Sequence, residues 1–178
     1  MNRVTDDLRI RRGGPGDAGS VLRLFDVAIA WLTTRGRTGQ WGTAPASTDP
    51  ARIAQAQAWA SGGDLHLALL DDDVVGALVV GTATDYVPPP IEPELYVNLL
   101  LTDRAHAGLG IGARLLAYAE ELARDRGLGL LRVDCYAGDD RALVGFYERC
   151  GFTPTDRFTV TRPGRPPWPG QVLARRVG

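Results

Sequence analysis

The sequence predicts an α/β (α+β) fold: a mixed sheet with helices on both faces, in the order β-α-α-β-β-β-α-β-α-β-β. Three observations predict it. Leu65 to Leu70 and Val74 to Thr82 are apolar runs joined by Asp71-Asp72-Asp73, the pattern of a hairpin. Apolar residues recur at helical spacing at Ile111, Leu115, Ala119, Leu122 and Ala123, with Arg114, Glu120, Glu121 and Arg124 on the other faces. Between that helix and the strand-like run Leu95 to Leu101 stand Gly108, Gly110 and Gly112, which mark a strand–turn–helix unit.

The other elements follow in order. Leu8 to Arg12 reads as a short strand stopped by Gly13-Gly14-Pro15-Gly16. Asp17 is an N-cap candidate for a helix with Val21, Leu24, Phe25, Ala28 and Leu32 on one face. Thr33 to Pro50 is a polar loop containing Gln40-Trp41-Gly42, and a second helix runs from Pro50 through Ile53, Ala56 and Ala60 to Ser61, where Gly62-Gly63 stops it. Tyr86 to Pro93 is a proline-rich loop. Leu128 to Tyr136 reads as a buried strand. Asp139 or Asp140 starts a helix through Leu143, Phe146 and Tyr147 that Gly151 closes as its C′ residue. Arg157 to Arg162 and Gln171 to Arg176 are terminal strands around the proline-rich Pro163 to Gly170.

Composition narrows the function. A chain of 178 residues is enough for one domain with a real core, here residues 1–178. A formal net charge of -1 argues against a general affinity for nucleic acid or an anionic membrane surface. No apolar run approaches a membrane span and the first residues hold no signal-peptide core, so a cytoplasmic protein is expected. Cys135 and Cys150 lack metal-like spacing and read as reduced core residues; His66 and His106 are too scattered for a metal site, so no metal is expected.

The glycine turn carries the chemistry. N–H groups in the first turn of a helix have no intrahelical acceptor, and the helix dipole adds partial positive charge there. Glycines let a phosphate approach the backbone closely. The same pattern also serves as a plain turn between a core strand and a core helix. A Walker loop would end in Gly-Lys-Ser/Thr, whereas Gly110-Ile111-Gly112-Ala113 stands here. A dinucleotide fingerprint would sit near the first strand, and these glycines come late.

Ala107-Gly108-Leu109-Gly110-Ile111-Gly112 resembles motif A of the GNAT superfamily of acyl-CoA-dependent N-acyltransferases, whose pattern is Gln/Arg-x-x-Gly-x-Gly/Ala. Asp140 to Phe152, with Tyr147 and Gly151-Phe152, resembles motif B. The likeness covers roughly Leu8 to Val177 and is best between Leu95 and Phe152. Ala107 departs from the usual Gln or Arg, and Asp140 stands where Asn is common; an acid there should cap the next helix equally well. The resemblance implies a mostly antiparallel central sheet flanked by helices. It also implies that the strands before and after the motif A helix splay apart to admit the pantetheine arm of acetyl-CoA.

What the resemblance implies for chemistry can be placed residue by residue. The cofactor pyrophosphate would meet backbone N–H groups from Leu109, Gly110, Ile111, Gly112 and Ala113, with Arg104 or Arg114 as charge partners or as solvated helix-face residues. Asp140, in motif B, belongs to the same cofactor-binding set. A backbone N–H near Leu100 or Leu101 would hold the oxyanion. Tyr147 would protonate the departing sulfur, a task a neutral phenol suits; otherwise it packs with Phe146 and Phe152. The strand glutamate some relatives use as base would align with Tyr96, which is no efficient base at its ordinary pKa. Glu94, on the same strand face, is the base candidate, with Glu92 behind it; the alternative for Glu94 is an exposed strand-end carboxylate.

Trp31, Trp41, Tyr86 and Tyr96 are candidates for the acceptor site, and Asp85, Glu92 and Glu94 would attract a cationic amine; each aromatic alternatively packs a loop on the core. The reading is an N-acetyltransferase acting by direct attack in a ternary complex on a small-molecule or peptide amine, since nothing pairs Cys135 with a base. A homodimer through the terminal strands fits such folds. The rival is an acyl-CoA sensor without turnover.

Overall fold

The structure is a computed structural model, and it describes residues 7–178. It contains β1 (Leu8–Arg12), α1 (Ala18–Thr34), α2 (Pro50–Gly62), β2 (Leu65–Leu70), β3 (Asp73–Gly81), β4 (Glu94–Thr102), α3 (Ile111–Asp125), β5 (Leu130–Tyr136), α4 (Ala142–Arg149), β6 (Thr153–Val160) and β7 (Trp168–Arg176). Short 3₁₀ turns stand at Pro15–Asp17, Ala46–Thr48 and Arg104–His106. The element order is the one the sequence predicts. The seven strands lie in the order β1-β2-β3-β4-β5-β7-β6. Pairs β1–β2, β2–β3, β5–β7 and β6–β7 are antiparallel, while β4 and β5 run parallel.

The chain divides into two compact units, Met1–Val80 with Leu99–Leu115, and Gly81–Asn98 with Leu116–Gly178. In the first, the apolar face of α1 (Val21, Leu24, Phe25, Ile29) packs with Leu65, Leu67, Ala77, Val79, Leu99 and Leu101, and Ala56 and Ala60 of α2 complete that core. Ile29 rather than Leu32 ends the buried stripe of α1. Asp17 does not cap α1. Its carboxylate accepts two bonds from Arg11, at 2.8 and 2.9 Å, and one from the Gly14 N–H at 2.8 Å, and the Arg11 hydrogen bond leads in holding its pKa below the ordinary value. Asp49 does act as a cap, accepting from the Ala51 N–H ahead of Pro50, the first residue of α2.

In the second unit, Val87, Tyr96 and Val172 form a small core with Phe158 and Ala83 against it. The terminal strands begin earlier than the sequence predicts, at Thr153 and Trp168. Polar residues and Pro154 hide the start of β6, and the β6–β7 register shifts between Pro154 and Arg157.

Candidate active site

In the first unit lie the turn after β4 and the start of α3. After β4 the chain makes a 3₁₀ turn capped by Asp103, whose carboxylate accepts from the Ala105 N–H at 3.0 Å. Gly108 and Gly110 then adopt φ of 85° and 72°, the left-handed region that residues with a Cβ enter only at a cost. Nothing lies within 4 Å of where a Cβ would stand on either, so backbone conformation rather than crowding calls for glycine. The first bond of the α3 ladder runs from the Arg114 N–H to the Gly110 carbonyl at 3.0 Å. The N–H groups of Ile111, Gly112 and Ala113 therefore precede the ladder and point out of the first turn, as an anion site requires. The Leu109 N–H is drawn toward the His106 carbonyl at 3.4 Å.

The second unit holds α4 and Tyr147. Residue α4 begins at Ala142, not at Asp139 or Asp140, and Arg141 at its N-terminus has φ 58°. Asp140 nevertheless caps the turn, accepting from the Ala142 N–H at 3.0 Å. At the other end the Phe152 N–H returns to the Tyr147 carbonyl at 3.1 Å and the Gly151 N–H to Glu148 at 3.0 Å, with Gly151 at φ 87°. This left-handed closure sets the Phe152 ring edge-on to Tyr147 at 5.8 Å, while Phe146 meets it at 5.1 Å. Tyr147 is buried, and burial, followed by the neighbouring Cys135 and Asp134 of β5, pushes its phenol pKa well up. It remains a neutral O–H donor at any physiological pH.

Along β4 and β5 the parallel ladder is registered from Glu94↔Leu130 to Val97↔Val133, although β4 runs on to Thr102 and β5 to Tyr136.

The Acetyltransferase (GNAT) family profile matches residues 27–152. The chain is a member of the GNAT family. It is 33% identical over 150 residues to a mycothiol acetyltransferase of Rhodococcus erythropolis, an alignment covering 83% of this chain and 46% of that protein. It is 40% identical over 92 residues to acetyltransferase Atu2258 of Agrobacterium fabrum, covering 51% of this chain and 59% of that one. The matched region thus spans about half the length of these curated relatives. The fold is that of the Salmonella typhimurium yncA acetyltransferase solved with its cofactor acetyl-CoA, at a TM-score of 0.65 and 17% identity, covering 97% of this chain and 95% of the other.

Within this GNAT chain the predicted acceptor-side residues separate. Glu94 is held in a buried ion pair: Arg132 donates from Nε to one carboxylate oxygen and from Nη2 to the other, the latter at 2.9 Å, with each side chain 6% exposed. Both oxygens of Glu94 are engaged by a guanidinium, and it is no exposed strand-end acid. Glu92 pairs with Arg176. Of the three acids expected to attract a cationic amine, two are thus neutralised by arginines.

Trp41 packs edge-on against Phe25 at 5.3 Å and belongs to the first-unit core. Trp31 carries two guanidiniums over its ring, Arg104 at 3.7 Å and Arg35 at 4.5 Å. Tyr86 is 49% exposed and lies 5.3 Å from Phe158. Tyr96 is 0% exposed, and its hydroxyl donates a short hydrogen bond to Asp134 Oδ1. Leu101 is buried in the first-unit core, and Leu100 is half-buried.

Asp134, on β5, is a carboxylate the sequence does not single out. Its pKa is raised by burial, against which the Tyr96 hydrogen bond and its own backbone N–H work. Cys135 is buried and its thiol is pushed up to about 12 by burial, then by Asp134, which disfavours its thiolate. Among the described residues no group of His, Cys, Asp and Glu could hold a metal ion, and no helix is long and apolar enough to cross a membrane.

Proposed function

We propose that this chain transfers the acetyl group of acetyl-CoA to a primary amine of a small molecule or peptide by direct attack in a ternary complex. The observation that carries the reading is Tyr147, clamped by Phe146 and Phe152 beside β5 and kept protonated by burial, within a chain whose family consists of acetyltransferases. The N–H groups of Ile111, Gly112 and Ala113, reached through Leu109 and Gly110, are assigned to the cofactor pyrophosphate. Backbone N–H at Leu100 or Leu101 is assigned to the carbonyl oxygen of the acetyl group. Asp140 serves indirectly, by capping the helix that bears Tyr147. Bound acetyl-CoA supplies the thioester. The protein's own work is to hold it, to take a proton from the amine and to give one to the sulfur.

Direct attack fits the raised thiol pKa of Cys135, since a covalent acetyl-enzyme needs a thiolate. Calorimetric titration with acetyl-CoA, paired with a thiol-release assay across a panel of amines, tests the reading. Binding with amine-dependent thiol release is the expected result. Binding without release on the whole panel would transfer the assignment to an acyl-CoA sensor, and absence of binding would remove the anion role of the α3 N-terminus.

A further inference from the structure

We propose that Asp134 is the proton acceptor for the amine and that Tyr96 is the positioning residue that holds its carboxylate in place. The inference rests on the acetyltransferase reading and supplies its missing base. Tyr96 is fully buried on β4 and presents its hydroxyl to Asp134 Oδ1, while Asp134 itself, on β5, is only half-buried. A carboxylate fixed by one donor and still open to solvent is placed to receive a proton.

Asp134 is flanked on several sides. Tyr96 comes from β4, Tyr86 from the loop before it, Tyr147 from α4 and Cys135 from β5 itself. Arg132 is engaged by Glu94 and also faces Asp156 of β6, Arg141 ahead of α4 acts on Cys135 and donates to Gln171 Oε1, and Arg162 acts on Tyr86. The groups that Asp134 acts on directly are thus neutral hydroxyls and a neutral thiol. Burial raises the Asp134 pKa, which brings a carboxylic acid nearer to the working range of a general base. Exposed Tyr86, with Phe158 and Trp168 behind it at successive centroid separations of 5.3 and 6.1 Å, gives the acceptor an aromatic flank in the same unit.

The proton balance is simple. The ammonium form of the acceptor gives one proton to Asp134, and the free amine nitrogen bonds to the acetyl carbon. The C–S bond breaks with its electron pair on sulfur, and sulfur takes the Tyr147 proton. The second proton of the nitrogen is lost as the amide forms and restores Tyr147, and Asp134 releases its proton to solvent.

The test is the pH profile of thiol release for the wild type, Asp134→Asn and Tyr96→Phe, each checked for folding by thermal melt and for acetyl-CoA affinity by calorimetry. The wild type should show an acid limb above the ordinary carboxylate range. Asp134→Asn should lose that limb and fall about 10²- to 10⁴-fold in kcat at unchanged acetyl-CoA affinity. The deficit should shrink for weakly basic amines that arrive unprotonated. Tyr96→Phe removes a bond that favours the carboxylate, so its limb should move to higher pH.

An Asp134→Asn enzyme within threefold of wild type, or one that keeps the acid limb, would overturn the assignment while leaving the acetyltransferase reading intact. A Tyr96→Phe limb that stays in place would overturn the role of Tyr96. A wild type that binds acetyl-CoA and acetylates no amine would overturn both the reading and the base built on it.

Discussion

Two side-chain pairs cross from β4 to β5 at the same diagonal step. Glu94 meets Arg132, and Tyr96, two residues further along β4, meets Asp134, two residues further along β5; both pairs are 38 residues apart in sequence. The register that makes one pair makes the other, yet the chemistry differs. In the first, the carboxylate meets a guanidinium through two parallel bonds in a buried position, so its charge is cancelled and its lone pairs are occupied. In the second, the carboxylate meets a neutral phenol, keeps its whole charge and has its pKa raised by burial. The first pair is built to stay as it is. The second is built to exchange a proton. A carboxylate on the strand before motif A is thus no sign of a base by itself; what stands two residues along the partner strand decides.

The largest effect should come from breaking the charge pair. Arg132→Ala leaves Glu94 buried without its partner and also removes the Nη1 bond to the Pro88 carbonyl, which ties down the loop before β4. A loss of about 3–5 kcal/mol in unfolding free energy is expected by denaturant titration. Replacing both partners, Glu94→Leu with Arg132→Met, should recover most or all of it, because two apolar side chains of similar volume pay no charge desolvation. If the double variant were as unstable as Arg132→Ala, packing rather than charge would explain the site.

Next in size is Tyr147→Phe. The ring still packs between Phe146 and Phe152, so stability and acetyl-CoA affinity should hold, while thiol release slows by about 10²-fold or more. A rate within threefold of wild type would return Tyr147 to the core and leave sulfur protonation to solvent. Smaller again is the cost of Tyr96→Phe to stability, about 1–3 kcal/mol, since one hydrogen bond to a charged group is lost and the ring volume is kept. Its ratio to the Arg132→Ala loss measures how differently the two pairs contribute to the fold.

The fold was legible in the sequence for identifiable reasons. Each predicted helix carries a periodic apolar face, and Gly63, Gly127 and Gly151 stand at positive φ where the helices end. Motif B was legible because its tyrosine and its closing glycine are local: the carbonyl of Tyr147 is the acceptor that Gly151 lets the chain reach. What was hidden depends on contacts across strands. Glu94 reads as a free carboxylate until Arg132 is beside it, and Asp134 reads as an interruption in an apolar strand until the parallel register puts the Tyr96 hydroxyl on it. For Trp41 the sequence left two alternatives, acceptor contact or packing of its loop on the core, and only the distant Phe25 of α1, which it packs against, supports the second.

The finest distinction between the pairs is how stability depends on pH. Asp134 has a native pKa raised above its unfolded value, so below the ordinary carboxylate range both states hold the proton and the group contributes no slope. As pH rises through the unfolded pKa, the unfolded chain releases its proton while the native protein keeps it. The native state then binds more protons, and stability falls with pH until the native pKa is passed, after which the slope vanishes. Asp134→Asn should erase this decline, so the variant should gain on the wild type as pH moves from below the carboxylate range toward neutrality, in thermal melts at constant ionic strength. Parallel curves for wild type and Asp134→Asn would mean that the Asp134 carboxylate is not held at raised pKa in the folded protein, and would remove the contrast between the two pairs.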